Sequence, residues 1–257
     1  MSWLAALRRE TDIIAPVAVA NRNQQLVTTL SSGPSETAQP ICTLMEWVEG
    51  RCFSDRRTPS RAFRAGDLLA RIHRHGETWV RPQNWTRPRQ DTRQLDEHLE
   101  IYHKAVAGGL LTANDLMVIE EATGRIRAAM TTVGQGVGDF GLIHGDFHRG
   151  NYVFHRGEVR PIDFSFCGDG YYLADLAYGM KGVRHPEEFL EGYQRIRPLP
   201  VAHLPLIETF IVDGMIGEVA YHLSRPQPLE QVVAFLPRMI AKLSDQFLKG
   251  EHSLRGW

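Results

Sequence analysis

The sequence predicts an α+β protein, in which a small β-containing N-terminal part precedes a mainly helical body. Three observations carry that prediction. Short β-prone runs crowd the first 50 residues, helical periodicity dominates from Thr58 onward, and short apolar runs flank a polar loop in the middle of the helical body. A chain of 257 residues with 43% hydrophobic and 23% charged side chains has enough apolar surface for one large domain or two small lobes.

Residues 2–11 look like the tail of a helix, with Trp3, Leu4 and Leu7 on one side. Residues 13–20 and 25–30 are β-prone. Residues 31–40 form a Gly/Pro/Ser turn into a third run over 41–48, and two of the three runs are expected to pair as a hairpin. Glu49-Gly50 closes this part, which divides the chain into residues 1–50 and residues 51–257. Thr58 as N-cap and Pro59 at the first helical position then open a helix carrying Phe63, Leu68, Leu69 and Ile72. His73 and His75 are expected near its C-terminal end, where positive charge is tolerated.

A Trp- and Pro-containing stretch over 79–88 leads to a helix near 92–107, and Thr112 to Asp115 resembles a capping box before a helix reaching Val133. Residues 140–143 read as a strand, 144–151 as a loop, and 152–154 with 159–162 as a hairpin turning at Arg156-Gly157. Asp169, between two glycines, reads as a turn residue. Four helical segments follow, near 174–182, 186–195, 202–223 and 229–248. Glu208, Asp213 and Glu218 on the third could supply acidic residues to a cationic substrate, but they read first as solvated or capping residues.

Charge and composition exclude several classes. Twenty-nine basic against 30 acidic side chains leave a formal charge of −1, without bulk attraction to nucleic acid or anionic membrane. No apolar run approaches the roughly 20 residues that span a bilayer, and the N-terminus is not a signal peptide, so a cytoplasmic protein with no nucleic-acid or membrane partner is expected. Cys42, Cys52 and Cys167 are scattered and lack metal spacing.

The chemistry concentrates in His144-Gly145-Asp146-Phe147-His148-Arg149-Gly150-Asn151, with Ile162-Asp163-Phe164 after the next hairpin. An Asp at a strand mouth, an Asn five residues on and a second Asp at the end of a hairpin can converge three oxygen-bearing side chains on one spot. Phosphoryl transfer needs such a set: a base or orienter for the attacking hydroxyl, and oxygen ligands for a magnesium ion that takes few protein ligands. A competing reading takes His144, Asp146 and His148 as the metal cluster of a hydrolase, but leaves Asn151 and Asp163 without a role. Asp139-Phe140-Gly141 spells a kinase metal triplet, yet precedes the loop it should follow.

These stretches, with the continuation to Met180, resemble the aminoglycoside phosphotransferase and choline-kinase-like family, whose loop pattern is H-G-D-x-H-x-x-N. The resemblance implies a protein-kinase-like fold and ATP- and Mg²⁺-dependent phosphorylation of a small-molecule hydroxyl. Within it Asp146 is the catalytic base, Asn151 and Asp163 are the magnesium ligands, and Asp175 is a structural residue of the following helix. Glu46, Trp47 and Val48 correspond to the interlobe hinge, whose backbone would hydrogen-bond adenine. His148 is inferred to donate a hydrogen bond to the transferred phosphoryl group, with His144 orienting the loop from behind.

Family members clamp the ATP phosphates with a Gly-rich hairpin and a strand lysine. Here the first 103 residues contain no lysine, and Gly33 stands alone. The N-terminal lobe is therefore expected to be truncated. The alternative is a natural variant that binds nucleotide differently or serves as a catalytically impaired scaffold. A polypeptide acceptor at the same site is a third reading.

Overall fold

The computed structural model describes residues 1–30, 41–52 and 58–250. The turn expected over 31–40, with Gly33, lies outside the described residues.

Helix α1 (Ser2–Glu10) has a buried stripe of Trp3, Leu4, Ala6 and Leu7. Four two-residue strands follow: β1 (Ala18–Val19), β2 (Thr28–Thr29), β3 (Ile41–Cys42) and β4 (Leu44–Met45). β1 pairs antiparallel with β4 and β2 with β3, so the third β-prone run meets both earlier ones. These strands are mostly exposed, and the core of this part lies instead under α1. The Trp3 ring packs edge-on against Phe164 at 5.4 Å and donates its Nε1–H to His75 Nδ1 at 3.0 Å. Burying a side chain of this size contributes about 2–3 kcal/mol.

Helix α2 (Pro59–Thr78) opens at Thr58 and Pro59 as the sequence suggested. His73 and His75 lie in the C-terminal part of this helix, His75 in its last turn as expected, but both are buried. Strand β5 (Arg89–Gln90) leads into α3 (Thr92–Ala107), capped by the Asp91 carboxylate. Helix α4 (Ala113–Val133) carries the complete capping box between Thr112 and Asp115, which satisfies two orphan donors reciprocally.

Strand β6 (Phe140–Ile143) precedes the polar loop, and β7 (Tyr152–His155) and β8 (Glu158–Pro161) form the expected hairpin. Strand β9 (Gly168–Tyr171) replaces the turn expected around Asp169. It lies between β6, antiparallel, and β5, parallel. Asp169 is a strand residue ion-paired with Arg81, whose Nη1 lies 2.8 Å from it. Helices α5 (Tyr172–Met180), α6 (Pro186–Gln194), α7 (Ile207–Leu223) and α8 (Glu230–Asp245) complete the body. The third expected helix starts late because residues 201–206, with Pro205, form a 3-10 turn. Buried residues of α1 and of the helical body belong to one hydrophobic core.

Candidate active site

Strand β6 delivers the chain to Gly145 with φ of 79°, and a Cβ there would come within 2.3 Å of the Phe166 carbonyl oxygen. Only glycine lets the loop over 144–151 lie against the loop over 163–167. Asp175, in the first turn of α5, fixes the loop from beneath. Its carboxylate accepts from the His144 amide at 2.8 Å and the Gly145 amide at 3.1 Å.

Asp175 is held in turn by His73, whose Nε2 lies 2.9 Å from it, while His73 Nδ1 meets the Tyr193 hydroxyl at 2.8 Å. Arg197 donates to that hydroxyl at 2.7 Å and pairs with Glu77. Burial lowers the His73 pKa, so the imidazole is neutral and the contact with Asp175 is a hydrogen bond between Nε2–H and a carboxylate. Burial alone would raise the Asp175 pKa, but the hydrogen bond from His73 and the backbone donor at His144 oppose it, and the net direction is down. Four residues far apart in sequence therefore hold an ionised carboxylate under the loop.

Asp146 and Asn151 come together as expected. The Asn151 Nδ2 donates to the Asp146 carboxylate at 2.7 Å and to the Asp146 backbone oxygen at 2.9 Å, which leaves the amide oxygen as the unspent atom. Burial pushes the Asp146 carboxyl up to about 6. The Asn151 hydrogen bond opposes the rise, and the charges of Asp163, Asp175 and Glu218 add to it. The Ile162 amide donates to the Asn151 backbone oxygen at 2.9 Å, so the residue before Asp163 is tied to the loop. Asp163 itself has φ of 56°, a left-handed conformation that a non-glycine residue adopts at a cost of order 1 kcal/mol, and its Oδ1 accepts from Ser165.

His148 Nδ1 accepts the Gly150 amide at 3.0 Å, which puts the ring proton on Nε2, 3.7 Å from the Asp146 carboxylate. His144 lies behind the loop, fully buried, with Nε2 at 3.0 Å from the Ile162 carbonyl oxygen and Nδ1 at 3.3 Å from the Asp146 amide. Both of its nitrogens are spent, and among the described residues no group of three or more His, Cys, Asp or Glu side chains could hold a metal ion. The hydrolase cluster of His144, Asp146 and His148 is thereby removed.

In the segment expected as the hinge, the Glu46 amide donates to the Val17 carbonyl at 2.7 Å and is not available for a base. The Glu46 carbonyl and the Val48 amide remain for that task. Val48 is buried, whereas Trp47 is 86% exposed. Reciprocal 3.1 Å hydrogen bonds between Arg51 and Phe154 join the chain just after this segment to β7.

A cavity of about 330 Å³ opens beside Asp146 and His148 and runs along α7, where Asp213, Gly217 and Tyr221 follow at helical spacing. Close packing forms this wall. A Cβ at Gly214 would meet the Tyr178 ring at 2.7 Å, and one at Gly217 would meet the His98 ring at 2.9 Å. The Tyr178 hydroxyl interacts with both Asp146 and Glu218. Of the three acidic residues read as solvated or capping, Glu208 is buried in the first turn of α7, Asp213 lines the cavity, and Glu218 bonds Lys181 at 2.7 Å.

The profile of the phosphotransferase enzyme family matches residues 1–201. The chain belongs to that family. No curated protein matches it. Among solved structures, this phosphotransferase-family chain is similar to a microcompartment-associated aminopropanol kinase, with a TM-score of 0.78 and 22% identity over 98% of this chain and 82% of that one. It is also similar to an amicoumacin kinase in complex with AMP-PNP and Ca²⁺ (TM-score 0.74, 18% identity, 95% of this chain and 75% of that one). A choline kinase from Cryptosporidium parvum gives a TM-score of 0.65 at 11% identity, covering 100% of this chain and 80% of that one. At such identities the likeness establishes the kinase-like fold, and no helix among the described residues is long and apolar enough to cross a membrane.

Proposed function

We propose that this chain transfers a phosphoryl group from ATP to a hydroxyl of a small molecule, with Asp146 as the base and with Asn151 and Asp163 holding Mg²⁺. The observation that carries this reading is the 2.7 Å bond between Asn151 and Asp146, with Asp163 tied to the same loop through Ile162. The donor set suits a hard cation: an amide oxygen and a carboxylate, with a further carboxylate alongside, fit a metal that takes one or two protein carboxylates and otherwise phosphate and water oxygens. Bound there, Mg²⁺ supplies neutralisation of the phosphate charge.

Asp146, with a pKa of about 6, is ionised at neutral pH yet close enough to it to take a proton as the acceptor oxygen bonds to phosphorus. His148 presents its Nε2–H beside that carboxylate and is the donor toward the transferred group. The Glu46 carbonyl and the Val48 amide would pair with adenine. The relay through Asp175, His73, Tyr193 and Arg197 holds the loop before substrate arrives, which lowers the reorganisation needed in the transition state. The solved neighbours include aminopropanol, amicoumacin and choline kinases, which supports a small-molecule acceptor.

The test is ATP-dependent phosphorylation of an acceptor panel by the chain and by Asp146→Asn. The variant should lose about 10²–10⁴-fold in kcat with its Tm unchanged; equal turnover would refute the role of Asp146. A second reading, a nucleotide-binding or scaffolding chain without turnover, draws on the absence of lysine before position 104. It gains if the wild-type chain neither turns over nor binds ATP.

A further inference from the structure

Four acidic residues line the cavity, and three are already engaged. Asp146 bonds Asn151, Asp175 bonds the loop amides and His73, and Glu218 is neutralised by Lys181. Asp213 differs: no hydrogen bond or ion pair to its carboxylate occurs among the described residues, and burial is the sole cause that pushes it up to about 7. The residue keeps accessible surface because the cavity reaches it, while protein encloses its carboxyl group on the remaining sides.

No lysine or arginine lines the cavity among the described residues. The groups that face it from the other elements carry no compensating positive charge. His98 on α3 is held neutral by burial, with a pKa lowered to about 4, and Gln90 and Gln94 are uncharged. Tyr178 on α5 turns its hydroxyl to other carboxylates, and burial likewise lowers the pKa of His148 on the catalytic loop. His98 and His222 each bury an Nδ1 atom that has no partner. The rest of the wall is largely aromatic, with Phe166 edge-on to Tyr221 at 5.5 Å.

Enclosing an unpaired carboxylate costs several kcal/mol, and the wall that encloses Asp213 also places two glycines inside a helix at about 1 kcal/mol each. A ligand that brings a positive charge into the cavity removes the first of these costs. We infer that Asp213 receives the ammonium group of the acceptor, so that the substrate class is a small amino alcohol with one cationic centre, its hydroxyl at Asp146 and its nitrogen at the α7 wall. The inference rests on the phosphotransferase reading above. One unengaged carboxylate matches one ammonium group, and a volume of about 330 Å³ lies at the small end of ligand cavities. A multi-ring polycation would meet one free counter-charge and too little room.

The test presents matched pairs of linear amino alcohols and diols, beginning with 1-amino-2-propanol and 1,2-propanediol, to the full chain with MgATP. The amine should be preferred by at least ~30-fold in kcat/KM within a pair, the size of a desolvated charge contact. In Asp213→Asn that ratio should fall to about 3 or less, while Asp213→Glu should retain most of it. A diol phosphorylated as well as its matching amine, or an unchanged ratio in Asp213→Asn, overturns the assignment. If no amine of the panel reacts while MgATP still binds by calorimetry, the amine class is rejected and the transferase reading stands; if MgATP does not bind, both fall together.

Discussion

The loop wall and the α7 wall of the same cavity are built on opposite plans. On the loop side Asp146 is bonded by Asn151 at 2.7 Å, His148 by the Gly150 amide at 3.0 Å, and the turn beneath them by Asp175 at 2.8 Å. On the α7 side Asp213 has no partner among the described residues, and His98 and His222 each bury an unpaired nitrogen. A satisfied network is rigid, which suits groups that must be in place before reaction, whereas an unsatisfied one leaves free energy to be recovered on binding. On the proposed reading, the difference separates the part that does chemistry from the part that selects what enters.

The contrast breaks most severely at Asp175. Asp175→Ala strands three buried donors, at His144, Gly145 and His73, and should cost about 3–5 kcal/mol, measured by urea unfolding. Turnover should fall at least tenfold even where the protein remains folded. Tyr193→Phe is a milder cut in the same relay. It removes the hydroxyl between His73 and Arg197, with an expected loss of about 1–3 kcal/mol and a KM for acceptor that hardly changes.

On the other wall the sign reverses. Asp213 has its pKa raised from 3.8 to about 7 in the folded state, so the folded chain binds more protons than the unfolded one between those values and loses stability as pH rises through that window. Asp213→Asn should therefore be more stable than wild type at pH 8, by up to about 4 kcal/mol, and nearly equal to it near pH 4. A variant less stable at pH 8 would show that the carboxylate has a partner after all. The smallest stability effect is expected at Gly217→Ala. The new Cβ crowds the His98 ring while the helix gains propensity, so stability should change by less than ~1 kcal/mol and acceptor KM should rise several-fold.

The loop wall was legible in the sequence and the α7 wall only in part, for reasons of chain geometry. Asp146 and Asn151 are five residues apart and Asp163 follows one hairpin later, so local spacing suffices to group them. The support beneath them joins His73 to Asp175 and Tyr193, which are 102 and 120 residues away, and no local pattern signals such a contact. His73 therefore looked like a helix-end residue. Asp169 looked like a turn residue because glycines flank it, but pairing with β5 and β6 overrides that local preference. Asp213 was visible as one of three acids that could meet a cationic substrate, but it could not be told from Glu208 and Glu218 because α7 is apolar on most sides, which leaves its few acidic residues without a face to mark them. The helix starts expected at Thr58-Pro59 and at Thr112 matched the structure because start signals are local, although only Thr112 caps with its side chain and Thr58 makes no such bond.

The central claim is that Asp163 and Asn151 complete a divalent-cation site beside Asp146. Calorimetric titration of the full chain with ATP, with and without Mg²⁺, tests it most directly when repeated on Asp163→Asn. The expected result is binding that Mg²⁺ strengthens at least ~10-fold in the wild type and no longer strengthens in the variant. Equal ATP affinity with and without Mg²⁺, or an undiminished Mg²⁺ effect in Asp163→Asn, would contradict the account.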